Sequence, residues 1–411
     1  MGRLSECLLR EKYMILFYVK RAQGLFVPND EKDHYSVYSK HTCKPENRVK
    51  KEDDDFNFIK ENVLGCWNKD IVVLWAGKRL SVKRNAEKKQ ILFQFLDCCE
   101  FVPCENVSDF INSVNTWVNQ CPNIKLYYRG QSSLYNWLPS LYRNEAWVDN
   151  ESRLNDNVIN KLVDEFKDCH TTIEKLIKLK HYEQPSRLMD IVGNPLIALY
   201  FACVSADKNK SDAFVTVIYS NPKQEKYSNS SDTVIELSAI ANNDRISAFD
   251  NMRCIQTERE GKKQECYKQP LKNIYEACLE KRGAEDPNCP VYLFLKEQAH
   301  QCKKESGIEA YWDDISLEKL DKCVIVHPVL NNIRIIHQQG LFILCGFNST
   351  DKYMPPADYG QFFLYKGKRK IFKIAEENVS NVLEELDRIG INQSQVYFDL
   401  EKTIDYVKNH V

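Results

Sequence analysis

Four separated segments of this 411-residue chain carry polar side chains where the local pattern predicts burial. They are Tyr128 to Gln131 with Leu138 to Arg143, His181 to Asp190, Asn194 to Ala202, and Arg334 with His337 to Phe342. Arg129 and Arg187 carry the planar guanidinium that binds phosphate oxygens through two parallel hydrogen bonds. Gly130 has no side chain, so a ligand can approach its backbone closely. These residue types predict a site for a phosphorylated, nucleotide-type ligand.

Aromatic and amide side chains of the same segments can complete such a site. Tyr182 and Tyr200 have rings on which a base or a nicotinamide can stack. Gln339 can hydrogen-bond ribose hydroxyls. Each has a structural alternative, because Tyr200 also fits a buried helix face and Gln338 and Gln339 can bond to a sheet edge.

Two titratable residues are candidates for acid–base chemistry. His181 can exchange a proton near neutral pH, since the unperturbed pKa of histidine is about 6.5. Asp190 can supply a negative charge. The structural alternatives are that His181 ends a helix and that Asp190 forms a local ion pair with Arg187, three residues away.

The elements that must position these residues follow from hydrophobic periodicity. Ile124 to Tyr128 alternates as a strand and runs directly into Arg129. An amphipathic helix is predicted over Asn157 to Leu179, just before His181. A buried helix is predicted over Pro195 to Val204, with proline at its first position.

The remaining patterns predict an α+β fold, with a mixed or antiparallel sheet flanked by helices. Strands are predicted at Ala213 to Tyr219, Val324 to Pro328, Leu341 to Cys345 and Phe362 to Tyr365, and helices at Tyr275 to Lys281, Tyr292 to Gln298, Asn378 to Ile389 and Leu400 to His410. Residues 1–105 read as a small mixed N-terminal accessory domain, and 106–411 as the main domain. Within it, 220–321 is polar and rich in lysine and cysteine, which predicts an insertion or lid.

Composition excludes several function classes. With 57 Lys and Arg against 58 Asp and Glu, the net charge of -1 argues against a protein that coats nucleic acid or acidic membrane. The chain has only 14 glycines and no GxGxxG or GxxxxGK[ST] motif, which disfavours dinucleotide-binding folds and P-loops built on glycine-rich phosphate turns. The absence of HExxH and GxSxG disfavours a zinc protease and a serine hydrolase.

The apolar runs and the cysteines predict a cytoplasmic protein that does not enter a membrane. The runs Tyr13 to Val19 and Pro195 to Val204 are too short to span a bilayer, and Met1 to Arg10 lacks the apolar core of a signal peptide. The 16 cysteines include no CxxC pair, which favours free thiols over disulfides or zinc.

In this order, the segments resemble the FRG domain, a family named for its Phe/Tyr-Arg-Gly motif. The resemblance rests on Tyr128-Arg129-Gly130-Gln131, Leu138-Pro139-Ser140-Leu141, His181-Tyr182, Pro185-Ser186-Arg187-Leu188 with Asp190, Asn194-Pro195, Ala198 to Ala202, Arg334, and Gln338 to Phe342. It covers about 106–411 and omits the N-terminal region. The chain departs from the family at Glu183 and Gln184, where Gly-Leu is usual, and at Ile191, where Trp is common.

A second, weaker likeness is to ADP-ribosyltransferases, whose first strand ends in an Arg-Gly that holds a phosphate of NAD. This likeness implies NAD as the cofactor. With the residue chemistry above, the residues predicted to bind NAD are Arg129, Gly130, Gln131, Arg187, Tyr182, Tyr200 and Arg334, and those predicted to be catalytic are Gln339, Asp190 and His181. Those enzymes have a glutamate where this chain has the neutral Gln339. Asp190 or Glu183 would therefore have to supply the carboxylate.

Together the resemblances imply a bacterial FRG-domain effector that handles NAD or another nucleotide, such as a toxin or a phage-defence component. A protein or a nucleic acid is the implied acceptor. The alternative is a non-catalytic module that recognises nucleic acid or protein. In such a module the same arginines contact phosphates and the segment 220–321 binds the partner. The sequence leaves the reaction and the oligomeric state open.

Overall fold

The computed structural model describes six short strands between Tyr18 and Ser81 and most of the chain from Cys99 to His410. Within that second part it leaves out 133–137, 229–230, 247–289, 308–314, 316, 331, 349–351, 353–354 and 399. The helix predicted over Tyr275 to Lys281 lies outside the described residues. The short strands are β1 (Tyr18–Val19), β2 (Gly24–Pro28), β3 (His34–Ser39), β4 (Pro45–Lys50), β5 (Val72–Trp75) and β6 (Lys78–Ser81). β1 to β4 form an antiparallel sheet, and β5 and β6 form a two-stranded sheet.

An eight-stranded sheet organises the larger part of the chain. Its strands are β7 (Cys99–Cys104), β8 (Lys125–Gln131), β9 (Leu188–Val192), β10 (Ala213–Ser220), β11 (Glu225–Tyr227), β12 (Cys323–His327), β13 (Gly340–Cys345) and β14 (Arg369–Ile374). Their order in the sheet is β11-β12-β13-β9-β8-β10-β14-β7. The β11–β12 and β14–β7 pairs are parallel, and the other pairs are antiparallel. The predicted α+β class with a mixed sheet is therefore confirmed.

Helices flank this sheet. They span Val107–Gln120, Glu145–Asp149, Glu151–Lys161, Val163–Phe166, Thr172–His181, Pro195–Asn209, Asp232–Ala239, Pro290–Ser306, Leu317–Leu320, Ile333–Gln338, Glu376–Arg388, Gln393–Tyr397 and Leu400–His410. Among the described residues, 3-10 helices span Ser140–Arg143, Pro222–Gln224, Ile240–Asn242 and Ala357–Phe363. Within the described part of the chain, no helix combines the length and the apolar run needed to cross a bilayer.

Two predictions of local structure are wrong. The single helix predicted over Asn157 to Leu179 is divided among three helices, because Thr171 and Glu174 form a capping box that begins a new helix at Thr172. The strand predicted over Phe362 to Tyr365 overlaps a 3-10 helix instead. The aromatic residues that favoured a strand there, Phe362 and Phe363, are fully buried in the core.

Two features differ from the predicted division of the chain. Cys99–Cys104 was assigned to the N-terminal domain, yet it pairs with β14 along its whole length and is part of the main sheet. The segment 220–321, predicted as an insertion or lid, contributes Val234, Leu237 and Phe294 to the buried core. The described part of that segment is therefore integral to the fold.

Side chains alternate between the two faces of the sheet. Tyr127, Ile191 and Ile343 belong to one cluster on the first face. The opposite face carries two clusters, one formed with the helix Pro195–Asn209 and one formed with the helices Thr172–His181 and Pro290–Ser306. These two clusters divide the opposite face near strands β8 and β9.

The junction between β8 and β9 is unusually short. Among the described residues, these antiparallel strands pair at one position, Tyr128 with Val192. A regular ladder would continue with Arg129 opposite Ile191. Instead, the Arg129 guanidinium donates a hydrogen bond to the backbone carbonyl of Asp190, with an Nη1-to-O distance of 2.6 Å. The Arg129 side chain thus takes the place of the next backbone hydrogen bonds between β8 and β9 where the two strands diverge.

Gly130 is required by helix packing at this junction. A Cβ atom built at Gly130 would lie 1.8 Å from the carbonyl oxygen of Ala198 in the helix Pro195–Asn209. The absent side chain therefore lets the strand and the helix approach each other, in addition to any approach of a ligand.

A buried ion pair fixes the segment that enters β9. The Arg187 guanidinium donates to both carboxylate oxygens of Glu151, and the distance from Nε to Oε1 is 3.0 Å. Its Nη1 donates to the carbonyls of Cys345 at 2.9 Å and Gly346 at 3.0 Å. Both charged side chains are almost fully buried. Arg187 therefore connects the helix Glu151–Lys161 to the end of β13.

Substitution Glu151→Ala is expected to lower the free energy of unfolding by about 3–5 kcal/mol, because it leaves the buried Arg187 charge without its partner. Urea denaturation at pH 7 measures this loss. The double variant Glu151→Leu with Arg187→Met removes both charges and should recover most of it. A loss below about 1 kcal/mol for Glu151→Ala would contradict a structural role for the pair.

Candidate functional site

A cavity of about 640 Å³ opens where β8 and β9 diverge. Its walls come from both halves of the sheet and from the ends of several helices. They include Tyr128, Arg129, Gly130, Ser140, Arg143, Trp147, Lys180, His181, Glu183, Pro185, Asp190, Phe201, Ser205, Arg334, Gln338, Gly340 and Phe342. The site thus depends on the short β8–β9 junction.

The charged residues of the cavity are mainly cationic. Arginine and lysine contribute four cations, against two carboxylates from Glu183 and Asp190. The cations are Arg129, Arg143, Lys180 and Arg334. An excess of positive charge in a concave site favours an anionic ligand.

Three side-chain nitrogen donors of residues that line this cavity are buried and have no hydrogen-bond partner within the part of the chain that the structure describes. They are Arg129 Nε, Arg334 Nε and Gln338 Nε2. Arg334 and Gln338 are four residues apart on the helix Ile333–Gln338, so their side chains share one helix face. The Arg334 guanidinium also stacks on the ring of Tyr397, 5.0 Å from its centroid. The unmatched donors indicate a ligand that supplies acceptor oxygens.

The Asp190 carboxylate lies between two of the cations. Its Oδ2 atom is 3.1 Å from Lys180 Nζ and 3.7 Å from Arg129 Nη1. Although the partial burial of Asp190 acts to raise its pKa, the charges of Lys180 and Arg129 outweigh that effect and hold the pKa below its usual value. Asp190 is therefore ionised at neutral pH.

His181 accepts a hydrogen bond from the Asn332 side-chain amide through Nδ1. The Asn332 side-chain oxygen accepts the backbone N–H of Arg334 at 2.9 Å, which leaves its amide nitrogen facing His181 Nδ1 at 3.3 Å. Nδ1 must then be the unprotonated acceptor, and Nε2 carries the hydrogen. Burial and the nearby Arg334 charge lower the pKa of His181 to about 4. Both observations indicate an uncharged imidazole at pH 7.

Six of the residues predicted from sequence do line the cavity: Arg129, Gly130, His181, Glu183, Asp190 and Arg334. These come from two strands and two separate helix ends, and the fold brings them together. Their roles toward a ligand stay predictions.

Two of the predicted residues have core positions instead. Arg187 was expected to hold a ligand phosphate, but its guanidinium is buried and fully engaged with Glu151 and two carbonyls, so we correct that assignment. Tyr200 was expected to stack on a base. It is buried in the cluster around the helix Pro195–Asn209 instead, which is the alternative noted from its sequence pattern.

Three more predicted residues do not line the cavity. Tyr182 is 76% exposed at the end of the helix Thr172–His181. Gln339 ends the helix Ile333–Gln338 with a φ of +48°, and its carbonyl accepts a hydrogen bond from Gly193. The Gln131 side chain is half-buried at the end of β8. Gln338, one residue earlier, occupies the position expected of Gln339.

Sequence reasoning did not single out Lys180, Gln338, Arg143 or Trp147 as site residues. Lys180 and Gln338 each directly precede a residue that was chosen. Lys180 lines the cavity together with His181, whereas Gln338 lines it in place of Gln339. Glu183 has a φ of +63°, the left-handed conformation that suits the glycine usual there in the FRG family. Its unusual backbone places a carboxylate at the cavity wall.

His181 is expected to remain the neutral Nε2–H tautomer down to about pH 4. Its folded-state pKa lies below the unfolded value of about 6.5, so the unfolded state binds more protons. Stability is therefore expected to fall as the pH drops from about 6.5 toward 4. Long-range ¹H–¹⁵N NMR of the imidazole reports the tautomer and the pKa.

The variant His181→Gln cannot be protonated and should lose this part of the pH dependence. His300→Gln, at an exposed position on the helix Pro290–Ser306, is the matched control and should retain it. Titration of His181 near pH 6.5, or an Nδ1–H tautomer, would contradict the assignment.

Comparison with known proteins identifies part of the chain. A model of the FRG domain family matches residues 124–211, which include β8, Arg129, His181 and Asp190. No curated protein and no solved structure matched the chain, so the likeness to ADP-ribosyltransferases has no support from these comparisons. The residues that form the β8–β9 junction and much of the cavity wall therefore lie in the part of the chain that is similar to the FRG domain.

Proposed function

We propose that the cavity at the β8–β9 junction binds a nucleotide-type ligand through its phosphate groups. The observation that carries this proposal is the set of three buried donors without partners, Arg129 Nε, Arg334 Nε and Gln338 Nε2, in one cavity of the described structure. A buried donor without an acceptor costs about 1–3 kcal/mol, and more when it is charged. Phosphate oxygens supply several acceptors and a negative charge together.

The size and lining of the cavity support a small molecule. Its volume of about 640 Å³ lies within the range of about 300–1,000 Å³ of small-molecule sites. Trp147 and Phe201 are half-buried at its walls and offer aromatic surfaces for a base or a nicotinamide ring. Cationic and aromatic surfaces together match the two parts of a nucleotide.

NAD is the ligand we propose for catalysis, in keeping with the limited likeness to ADP-ribosyltransferases. Cleavage would break the bond between C1′ of the ribose and the nicotinamide nitrogen, and nicotinamide would leave with the bonding electron pair. A water molecule, or a nucleophilic group of an acceptor, would form the new bond to C1′ and lose its proton to solvent. Positive charge develops on the ribose, and a carboxylate nearby stabilises it. Glu183 and Asp190 are the two carboxylates at the cavity. Loss of NAD would harm a cell, as a toxin or a phage-defence effector requires.

A module that recognises nucleic acid is the competing proposal. Its phosphate contacts would track an extended backbone along an accessible basic surface. Here the cations line a cavity with limited room, which favours a single small ligand.

The experiment is calorimetric titration of the purified protein with NAD, ADP-ribose, ATP and inorganic pyrophosphate at 150 mM salt. Binding of at least one of them is expected. Arg334→Gln should weaken it about 10- to 100-fold, because it removes a charged hydrogen-bond donor. A parallel assay for released nicotinamide tests the catalytic version of the proposal.

Arg388→Gln is the matched control, because Arg388 is an exposed arginine that pairs with Glu384 and does not line the cavity. It should leave binding unchanged. Equal affinity of Arg334→Gln and the parent protein, or binding of single-stranded RNA with none of the small molecules, would contradict the proposal.

A further inference from the structure

Two cations of the cavity converge on one carboxylate. Lys180 lies in the last turn of the helix Thr172–His181, and Arg129 lies in β8. Both point at Oδ2 of Asp190, at 3.1 Å and 3.7 Å. Cations from two separate elements thus form a site for an anionic oxygen, and the protein's own carboxylate fills it.

We propose that the Asp190 carboxylate occupies the subsite of a ligand phosphate group and that the ligand displaces it. Carboxylate and phosphate oxygens accept the same charged hydrogen bonds from lysine and arginine. The inference rests on the proposed function, since it names the place where one phosphate of that ligand binds. When the ligand binds, Lys180 and Arg129 exchange the Asp190 carboxylate for a phosphate group of the ligand as their ion-pair partner.

The exposure of the three side chains makes this exchange feasible. The Asp190 side chain is 48% exposed, whereas those of Arg129 and Lys180 are 18% and 14% exposed. Asp190 can therefore turn toward water without burying its charge, while the cations stay in place. Breaking the two ion pairs of the half-exposed Asp190 carboxylate costs little free energy, because partly exposed ion pairs contribute only about 0–1 kcal/mol each.

The backbone around Asp190 is fixed, so the exchange needs only a side-chain rotation. In β9, Asp190 pairs with Phe342 of β13. Its carbonyl oxygen accepts the hydrogen bond from Arg129 Nη1 at 2.6 Å, independently of its carboxylate. Arg129 thus remains anchored to β9 after the carboxylate leaves.

Asp190 consequently acts as an internal competitor of the ligand. To bind, an anionic ligand must replace the ion pairs that Asp190 forms with Lys180 and Arg129. A phosphate or diphosphate, which has several charged oxygens, does this more readily than a ligand with a single carboxylate. Removing the charge of Asp190 should raise the affinity for such anions about 3- to 30-fold, if each of the two pairs contributes up to about 1 kcal/mol.

The test is calorimetric titration of inorganic pyrophosphate into the full chain and into Asp190→Asn. Glu183→Gln is the matched control, because it removes the other carboxylate of the cavity, for which no ion pair occurs among the described residues. If the ligand displaces Asp190, the affinity for pyrophosphate rises clearly more in Asp190→Asn than in Glu183→Gln. Equal gains, or no gain for Asp190→Asn, would overturn it.

A measurement on the unmodified protein covers the case in which Asp190→Asn does not fold. Carbon-13 NMR of the Asp190 carboxyl follows its pKa, which should rise when pyrophosphate takes its two cations. If pyrophosphate binds and leaves the pKa of Asp190 unchanged, the displacement proposal is wrong while the proposed function still stands. If the parent chain binds neither pyrophosphate nor any nucleotide, the proposed function fails as well.

Discussion

The hydrogen bond from Arg129 to the Asp190 carbonyl is the contact on which the described site depends. β8 and β9 belong to a continuous eight-stranded sheet, yet ladder pairing joins them only at Tyr128 and Val192 in the described structure. The Arg129 side chain extends that junction and leaves room beyond it. One guanidinium therefore connects the two halves of the sheet and supplies a cation to the cavity between them. Altering it affects both the sheet and the site.

Two arginines of similar appearance in the sequence have different surroundings. Arg187 is balanced by the buried Glu151 and two carbonyls, and it stabilises the approach to β9. Arg129 retains an unmatched Nε, and its neighbouring carboxylate is half-exposed. Glu151 lies in a different helix, 36 residues before Arg187. Spacing along the chain therefore could not separate the structural arginine from the arginine of the cavity.

Much of the fold could be predicted because its signals are local. The alternation before Arg129, the proline that opens Pro195–Asn209 and the terminal amphipathic helices are properties of short windows, and all were confirmed. The site could be predicted only in part. Whether Gln338 or Gln339 faces the cavity depends on where the helix Ile333–Gln338 ends, and the partners of Lys180 depend on how that region meets β9. Such contacts are set by tertiary packing.

The crystal structure of this protein with ADP-ribose bound would test the central claim most directly. The account predicts the ligand in the cavity at the β8–β9 junction, with phosphate oxygens within hydrogen-bond distance of Arg129 Nε and Arg334 Nε. Its phosphate would separate the Asp190 carboxylate from Lys180. A ligand bound elsewhere on the chain, with both of those nitrogens still unpaired, would contradict the account.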